Sequence, residues 1–200
     1  MNTTAADPRP AYAAATEWLH TLLENTTADQ LAVPTPCDEF DVETLARHVL
    51  AVGLRVEALA TVATVEGQPF LADRYDAATF AQIRERALAA WAIAPLEREV
   101  VVPWGTVPGA AALGMYVNET LVHCWDLAVA TGQNPECPDG SIAEAALAVV
   151  RVVLPAEIRG MDEIPFGPVQ EPRPQAGPTE RLANWSGRSS VGWIAAPLGS

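Results

Sequence analysis

Residues 110–131, AAALGMYVNETLVHCWDLAVAT, decide how this chain folds. The run is apolar around almost the whole of a helical wheel, and Gly132 follows it as a stop signal. Such a helix is buried among other helices, because it offers no wide face to water. Glu119 and His123 interrupt it four residues apart, on neighbouring turns of one face, with Cβ atoms about 5–6 Å apart. Asp126 falls on the same face, and Ala112, Met115 and Ala130 share the stripe. Two readings stay open. A buried carboxylate needs a cation or a proton beside it, and a carboxylate with a neutral imidazole is a good donor pair for zinc and its neighbours. Equally, the three polar residues fit the solvated stripe of an amphipathic helix, and a Glu-x-x-x-His pair is too common to choose between them.

Further helical patterns flank this one. Asp7 reads as an N-cap with Pro8 at the first helical position. Tyr12, Ala15, Trp18, Leu19, Leu22 and Leu23 then recur at helical spacing to about Asn25. Val33-Pro34-Thr35-Pro36 breaks the chain. Asp41 caps a second helix expected to run to about Val65, before Gly67 and Pro69. Residues 73–94 carry a third, with Phe80, Ile83, Ala87 and Trp91 on one face and Pro95 as the stop.

The β-prone run 99–102, followed by Pro103-Trp104-Gly105 and Pro108-Gly109, predicts an extended or hairpin-like connection rather than a sheet. A further helix is expected over 141–154. Beyond Gly160, prolines at 165, 168, 172, 174 and 178 forbid regular structure and predict an extended strap, with one short helix over 179–185. The expected fold class is therefore all-α. It is a four-helix bundle over residues 1–160, with an irregular proline-rich tail over 161–200 packed on the same domain.

Half of the 200 residues are hydrophobic, enough to bury a substantial core. The formal net charge is -13, and every one of the 12 basic residues is arginine. An acidic chain repels phosphate backbones and anionic bilayers, so neither nucleic acid nor membrane is an expected partner. Cys37, Cys124 and Cys137 are odd in number and irregular in spacing, which argues for a reducing compartment. The first ten residues carry no apolar targeting segment, and no run approaches the ~18 apolar residues of a membrane span. A soluble, cytoplasmic protein is expected.

Only three histidines are available to join Glu119. His20 lies among Glu17, Thr21 and Glu24 and is expected to face solvent. His48 has Leu45, Val52 and Leu59 on or beside its face, so it points toward the core edge, as a packed hydrogen-bonding residue or as a ligand. Arg55, two turns on along roughly the same stripe, reads either as an ordinary surface charge or as a guard at a pocket mouth.

Several stretches together resemble a known family. They are Thr35-Pro36-Cys37-Asp38-Glu39-Phe40-Asp41-Val42 with Leu45 and His48, Pro108-Gly109-Ala110-Ala111-Ala112-Leu113, and Glu119 through Gly132. A weaker echo is Arg181-Leu182-Ala183 with Gly187-Arg188. The chain resembles an actinobacterial, short form of the DinB-like superfamily of metalloenzyme bundles, which includes the mycothiol-dependent maleylpyruvate isomerases. The resemblance implies a divalent metal held by His48, Glu119 and His123, with mycothiol, a low-molecular-weight thiol, as a cosubstrate. Phe40 stands where relatives usually show tryptophan. The tail is too short and proline-rich for the second domain of the isomerases, which argues against maleylpyruvate itself as the substrate.

Two imidazoles and one carboxylate leave a coordination position open, as catalytic zinc sites require. Zinc is the expected metal, and nickel, iron and manganese suit the same donors. An open position activates a water or a substrate thiolate. Asp126 is expected to hold a ligand imidazole in its tautomer or to cap a neighbouring helix. Cys124 is expected in the core, Trp125 and Trp104 are expected to pack, and Cys37 is expected to lie too far from His48 to be a ligand. The expected function is a metal-dependent transferase, isomerase or hydrolase that uses a low-molecular-weight thiol on a small electrophile. The alternatives are a metal-binding or sensor protein without catalysis, or a bundle whose metal site is vestigial. Small molecules are the expected partners, and a homodimer is allowed.

Overall fold

The computed structural model describes residues 7–38, 40–159 and 166–194, so Glu39, Pro165 of the strap and both chain ends lie outside the described residues. Helix α1 spans Arg9–Glu24, α2 Val42–Val62, α3 Ala77–Ile93, α4 Gly109–Thr131, α5 Gly140–Val153 and α6 Pro178–Trp185. Two short strands, β1 (Glu99–Val102) and β2 (Gly105–Pro108), lie between α3 and α4.

Local chemistry sets most of these boundaries. The Asp41 carboxylate accepts the Thr44 amide at 2.8 Å, a cap that stabilises a helix start by about 1 kcal/mol. Asp76 does the same for Ala78 and Thr79, so α3 begins after Asp76 rather than at Asp73. Asp139 starts α5 by accepting from Ser141. Asp7 stands one residue before the N-cap, and its carboxylate accepts the Arg9 amide at 2.9 Å. Its carboxylate grips the Arg9 guanidinium at 2.7 Å, and Pro8 stands at the N-cap without a side-chain bond. Helix α2 stops short of Val65 because Ala63 takes left-handed backbone at φ 63°. Gly132 ends α4 at φ 71°, its amide donating back to Ala128.

Four long helices form the bundle, with α1 and α2 each packed against α3 and α4. Helix α2 approaches α3 closely at Gly53, where a Cβ would lie 2.7 Å from Ile83 Cγ2. Helices α5 and α6 pack on α4 and on each other. Thus α4 has neighbours on most sides, which explains its nearly unbroken apolar surface. Leu121, Cys124, Trp125 and Leu127 on it are all buried.

The chain between α3 and α4 forms the expected hairpin, with Val100 opposite Val107, and its two strands pair as a small antiparallel sheet that the sequence did not predict. Alternating burial of Val100 and Val102 holds β1 to the core, and its Val101 amide donates to Ala63 at the end of α2. The described part of the proline-rich strap, 166–177, contains neither helix nor strand, and Gln170 donates to the Asn184 carbonyl. The amides of Thr179 and Glu180, at the start of α6, donate to the Glu136 carboxylate at 3.0 and 3.1 Å. Among the described residues no helix is long and apolar enough to cross a membrane.

Candidate metal centre

Helix α2 supplies His48 and helix α4 supplies Glu119 and His123, and the two helices pack together where these side chains meet. His48 Nε2 lies 3.2 Å from Glu119 Oε1, and His123 Nε2 lies 3.4 Å from the same oxygen. One ligand atom from each of the three falls within 4.8 Å of the others. Both imidazoles are buried, whereas the Glu119 side chain keeps 31 % of its surface exposed. The solvated-stripe reading of α4 therefore fails for His123 and for Asp126, which is completely buried.

Each ring also has an acceptor on its far nitrogen. His48 Nδ1 sits 3.3 Å from the Phe70 carbonyl oxygen, and His123 Nδ1 sits 3.1 Å from Asp126 Oδ2. Asp126 thus reaches His123 across three residues of one helix. Arg188 closes the far side of that carboxylate, with Nε 2.9 Å from Oδ1 and Nη2 3.1 Å from Oδ2.

The charges follow from this packing. Burial alone would raise the Glu119 carboxyl, but the hydrogen bonds and charges of His123 and His48 hold it well below the usual carboxylate range. Burial disfavours the His123 imidazolium, yet its bonds to Asp126 and Glu119 win and push it up to about 9. His48 goes the other way, because burial outweighs its bond to Glu119.

Aromatic side chains form the rim. Phe40 and Phe70 stand 5.5 and 5.0 Å from the His48 ring, centroid to centroid. The Arg55 guanidinium lies over Phe70 and donates to the Pro69 carbonyl at 2.7 Å, so it fastens the loop that covers His48. Trp104, expected to pack, is instead exposed at the hairpin turn, 6.2 Å from Tyr116, whereas Trp125 is buried in the core. His20 stands apart on α1, half-buried, beside Glu24 and stacked on Phe80.

Cys37 corrects a distance argument. Counting residues from His48 puts it too far away, but the segment is a turn and not a helix. Thr35 and Phe40 pair across it, through the Thr35 amide and hydroxyl on the Phe40 carbonyl. The turn lays Cys37 against α4, with Sγ within 4.8 Å of a His123 nitrogen and an Asp126 oxygen. Burial pushes its thiol up to about 11. Arg188 was missed as a site residue; the sequence offered only the Gly187-Arg188 pair, and no periodicity says that it returns to α4.

Comparison with known proteins agrees with this architecture. The sequence profile of the mycothiol maleylpyruvate isomerase N-terminal domain matches residues 12–128. The chain belongs to that family. Two relatives, uncharacterized proteins from two strains of Mycobacterium tuberculosis, are 32 % identical over 92 % of this chain and 98 % of their own length. Two crystal structures of mycothiol-dependent maleylpyruvate isomerase share the fold. A histidine-to-alanine mutant superposes with a TM-score of 0.55, covering 76 % of this chain and 68 % of that one at 17 % identity. The second structure gives 0.52 over the same coverage. In this isomerase-domain family member, the matched segment holds His48, Glu119, His123 and Asp126 but stops well before Arg188.

Proposed function

We propose that the protein is a divalent-metal-dependent enzyme that uses a low-molecular-weight thiol of the mycothiol type on a small electrophile. One observation carries the metal. Both Nδ1 atoms face oxygen acceptors, so a proton on each leaves both Nε2 lone pairs directed at one carboxylate oxygen of Glu119. Three acceptors cannot face one another without a proton or a cation between them. The spacing admits the cation as well as the proton. Donors held at about 2.0–2.1 Å from a tetrahedral zinc stand roughly 3.4 Å apart, close to the 3.2 and 3.4 Å found here.

His48, Glu119 and His123 would hold the ion, and zinc suits the donor set best, with nickel, iron and manganese as alternatives. Such an ion supplies Lewis acidity and an open position at which a thiolate or a water is activated. The chain's own residues prepare the place. Asp126 fixes the His123 ring, Phe40 and Phe70 keep water from His48, and Arg55 secures the rim. All three cysteines are free, which supports a reducing compartment such as the cytoplasm. Family membership supports the thiol, since the family's namesake depends on mycothiol.

Elemental analysis of the purified protein, beside His48→Ala and His123→Ala, tests the metal. The expected result is one divalent ion per wild-type chain and loss in both variants with the helical spectrum kept. No ion in any preparation, including one reconstituted with zinc, would refute it. Thermal shift with mycothiol, glutathione and bacillithiol separates the enzyme from a sensor. Stabilisation by mycothiol is expected, and no response to any thiol favours non-catalytic metal binding.

A further inference from the structure

Asp126 is completely buried, and a lone histidine three residues away does not explain its burial. Its second partner comes from the other end of the chain. Arg188 donates Nε to both Asp126 oxygens at 2.9 and 3.1 Å and Nη2 to Oδ2 at 3.1 Å. Oδ2 is therefore shared between the guanidinium and His123 Nδ1. A planar guanidinium in this fork leaves the carboxylate one orientation, which lysine, a point charge, would not enforce.

The backbone is built to deliver this arginine. Helix α6 ends in a Schellman turn: the Gly187 amide donates to the Asn184 carbonyl and the Arg188 amide to the Ala183 carbonyl. Gly187 has φ 98°, and a Cβ there would lie 3.1 Å from backbone atoms of Gly167. Asn184 Nδ2 holds the Arg188 carbonyl at 2.9 Å. Turn, helix and strap thus fix where the guanidinium points.

We propose that Arg188 is a positioning residue of the metal centre, acting through Asp126 to set the ring plane and the Nδ1–H tautomer of His123, so that Nε2 faces Glu119. The consequence is that a segment outside the matched family domain, residues 12–128, completes the site. The affinity part of this inference rests on the metal reading above; the tautomer part does not.

Two measurements on the full-length chain test it. The first is zinc affinity, by competition with a chromophoric chelator, in wild type, D126N, R188Q, R188K and the D126N/R188Q double variant. Loss of an outer partner to a ligand histidine typically weakens metal binding about 10–100-fold. R188Q is expected near the lower end, about 10-fold, R188K less affected, and the double variant no weaker than D126N alone. That last comparison separates a relay, in which Arg188 acts only through Asp126, from independent effects of the two residues, whose losses would multiply. The second is imidazole ¹⁵N NMR of the metal-free protein at alkaline pH, where the His123 ring is neutral, expected to show its Nδ1–H form in wild type and a tautomer mixture in R188Q. If R188Q does not fold, R188K and the double variant decide, since removing both charges together leaves none stranded. Wild-type zinc affinity in R188K and R188Q, or multiplying losses in the double variant, would overturn the proposal. A wild type that binds no zinc defeats the metal reading, and the NMR result then decides the positioning role alone.

Discussion

The rings of His48 and His123 meet nearly edge to face, with centroids 5.0 Å apart and planes inclined at 76°. That arrangement brings the two Nε2 atoms onto one Glu119 oxygen while their Nδ1 atoms diverge, one to the Phe70 carbonyl and the other to Asp126. Neither ring is free to turn without losing a bond on one side. The pair is held in one arrangement, and its charge state is the quantity most open to measurement.

Metal-free protein is expected to lose stability between about pH 6.5 and 9. His123 has its folded pKa raised, to about 9. A raised group contributes stability that is fully present below its unfolded value, about 6.5, and lost as pH rises through the folded one. The effect is on the order of 3 kcal/mol. Glu119 acts oppositely: its depressed carboxyl contributes stability above about pH 4.5, lost as pH falls through the folded value. Zinc-loaded protein should escape the alkaline loss, because the metal takes a neutral imidazole. Thermal melting across pH 5–10 with and without zinc checks this, and parallel curves for the two forms would count against it.

Cys37→Ala should keep the metal. The Cys37 thiol neighbours His123 and Asp126 but does not join the group formed by His48, Glu119 and His123. Its thiol is also pushed up by burial, so it carries little thiolate near neutral pH. Metal content at wild-type level, with affinity changed less than about threefold against the tenfold or greater loss typical of an outer partner, is the expected outcome. A metal-free variant would show that Cys37 is a ligand.

The same residue marks where the sequence stops being legible. Positions on one helix are readable because 3.6-residue periodicity fixes their relative direction, so the Glu119–His123 pair and the apolar burial of α4 follow from spacing. His48 needed the family resemblance, since no local pattern says which helix α4 meets. Cys37 was misplaced because residue counting assumes a helix where Thr35 and Phe40 close a turn. Arg188 lay beyond reach for a related reason. It lies 62 residues from Asp126 in the chain, and a Schellman turn sets its direction. The helix boundaries moved by a few residues wherever capping, at Asp76 rather than Asp73, or a left-handed residue, at Ala63, overrode the pattern.

Gly187→Ala should destabilise the protein and loosen the metal together. The residue needs φ 98° and sits 3.1 Å, counted from a Cβ, from rigid Gly167 backbone. Left-handed strain costs of order 1–3 kcal/mol, which for a chain of this size lowers the melting temperature by roughly 2–4 °C per kcal/mol. Zinc affinity should fall in the same variant because the turn aims Arg188 at Asp126. An unchanged melting temperature would mean that the turn is not under the stated constraint.

Phe70→Ala should alter His48 more than it alters stability. The ring is 62 % exposed, so truncating it removes little buried surface, and a loss of about 1 kcal/mol is expected. It does, however, cover the His48 imidazole at 5.0 Å and carry the Arg55 guanidinium above it. Burial is the main cause that holds the His48 pKa below its ordinary value. Admitting water should therefore move it back toward about 6.5, while the Phe70 carbonyl still accepts from Nδ1. Histidine NMR titration of the metal-free variant measures the shift directly. An unmoved His48 titration in a folded Phe70→Ala protein would show that the bundle itself, rather than this aromatic cover, dehydrates the ring.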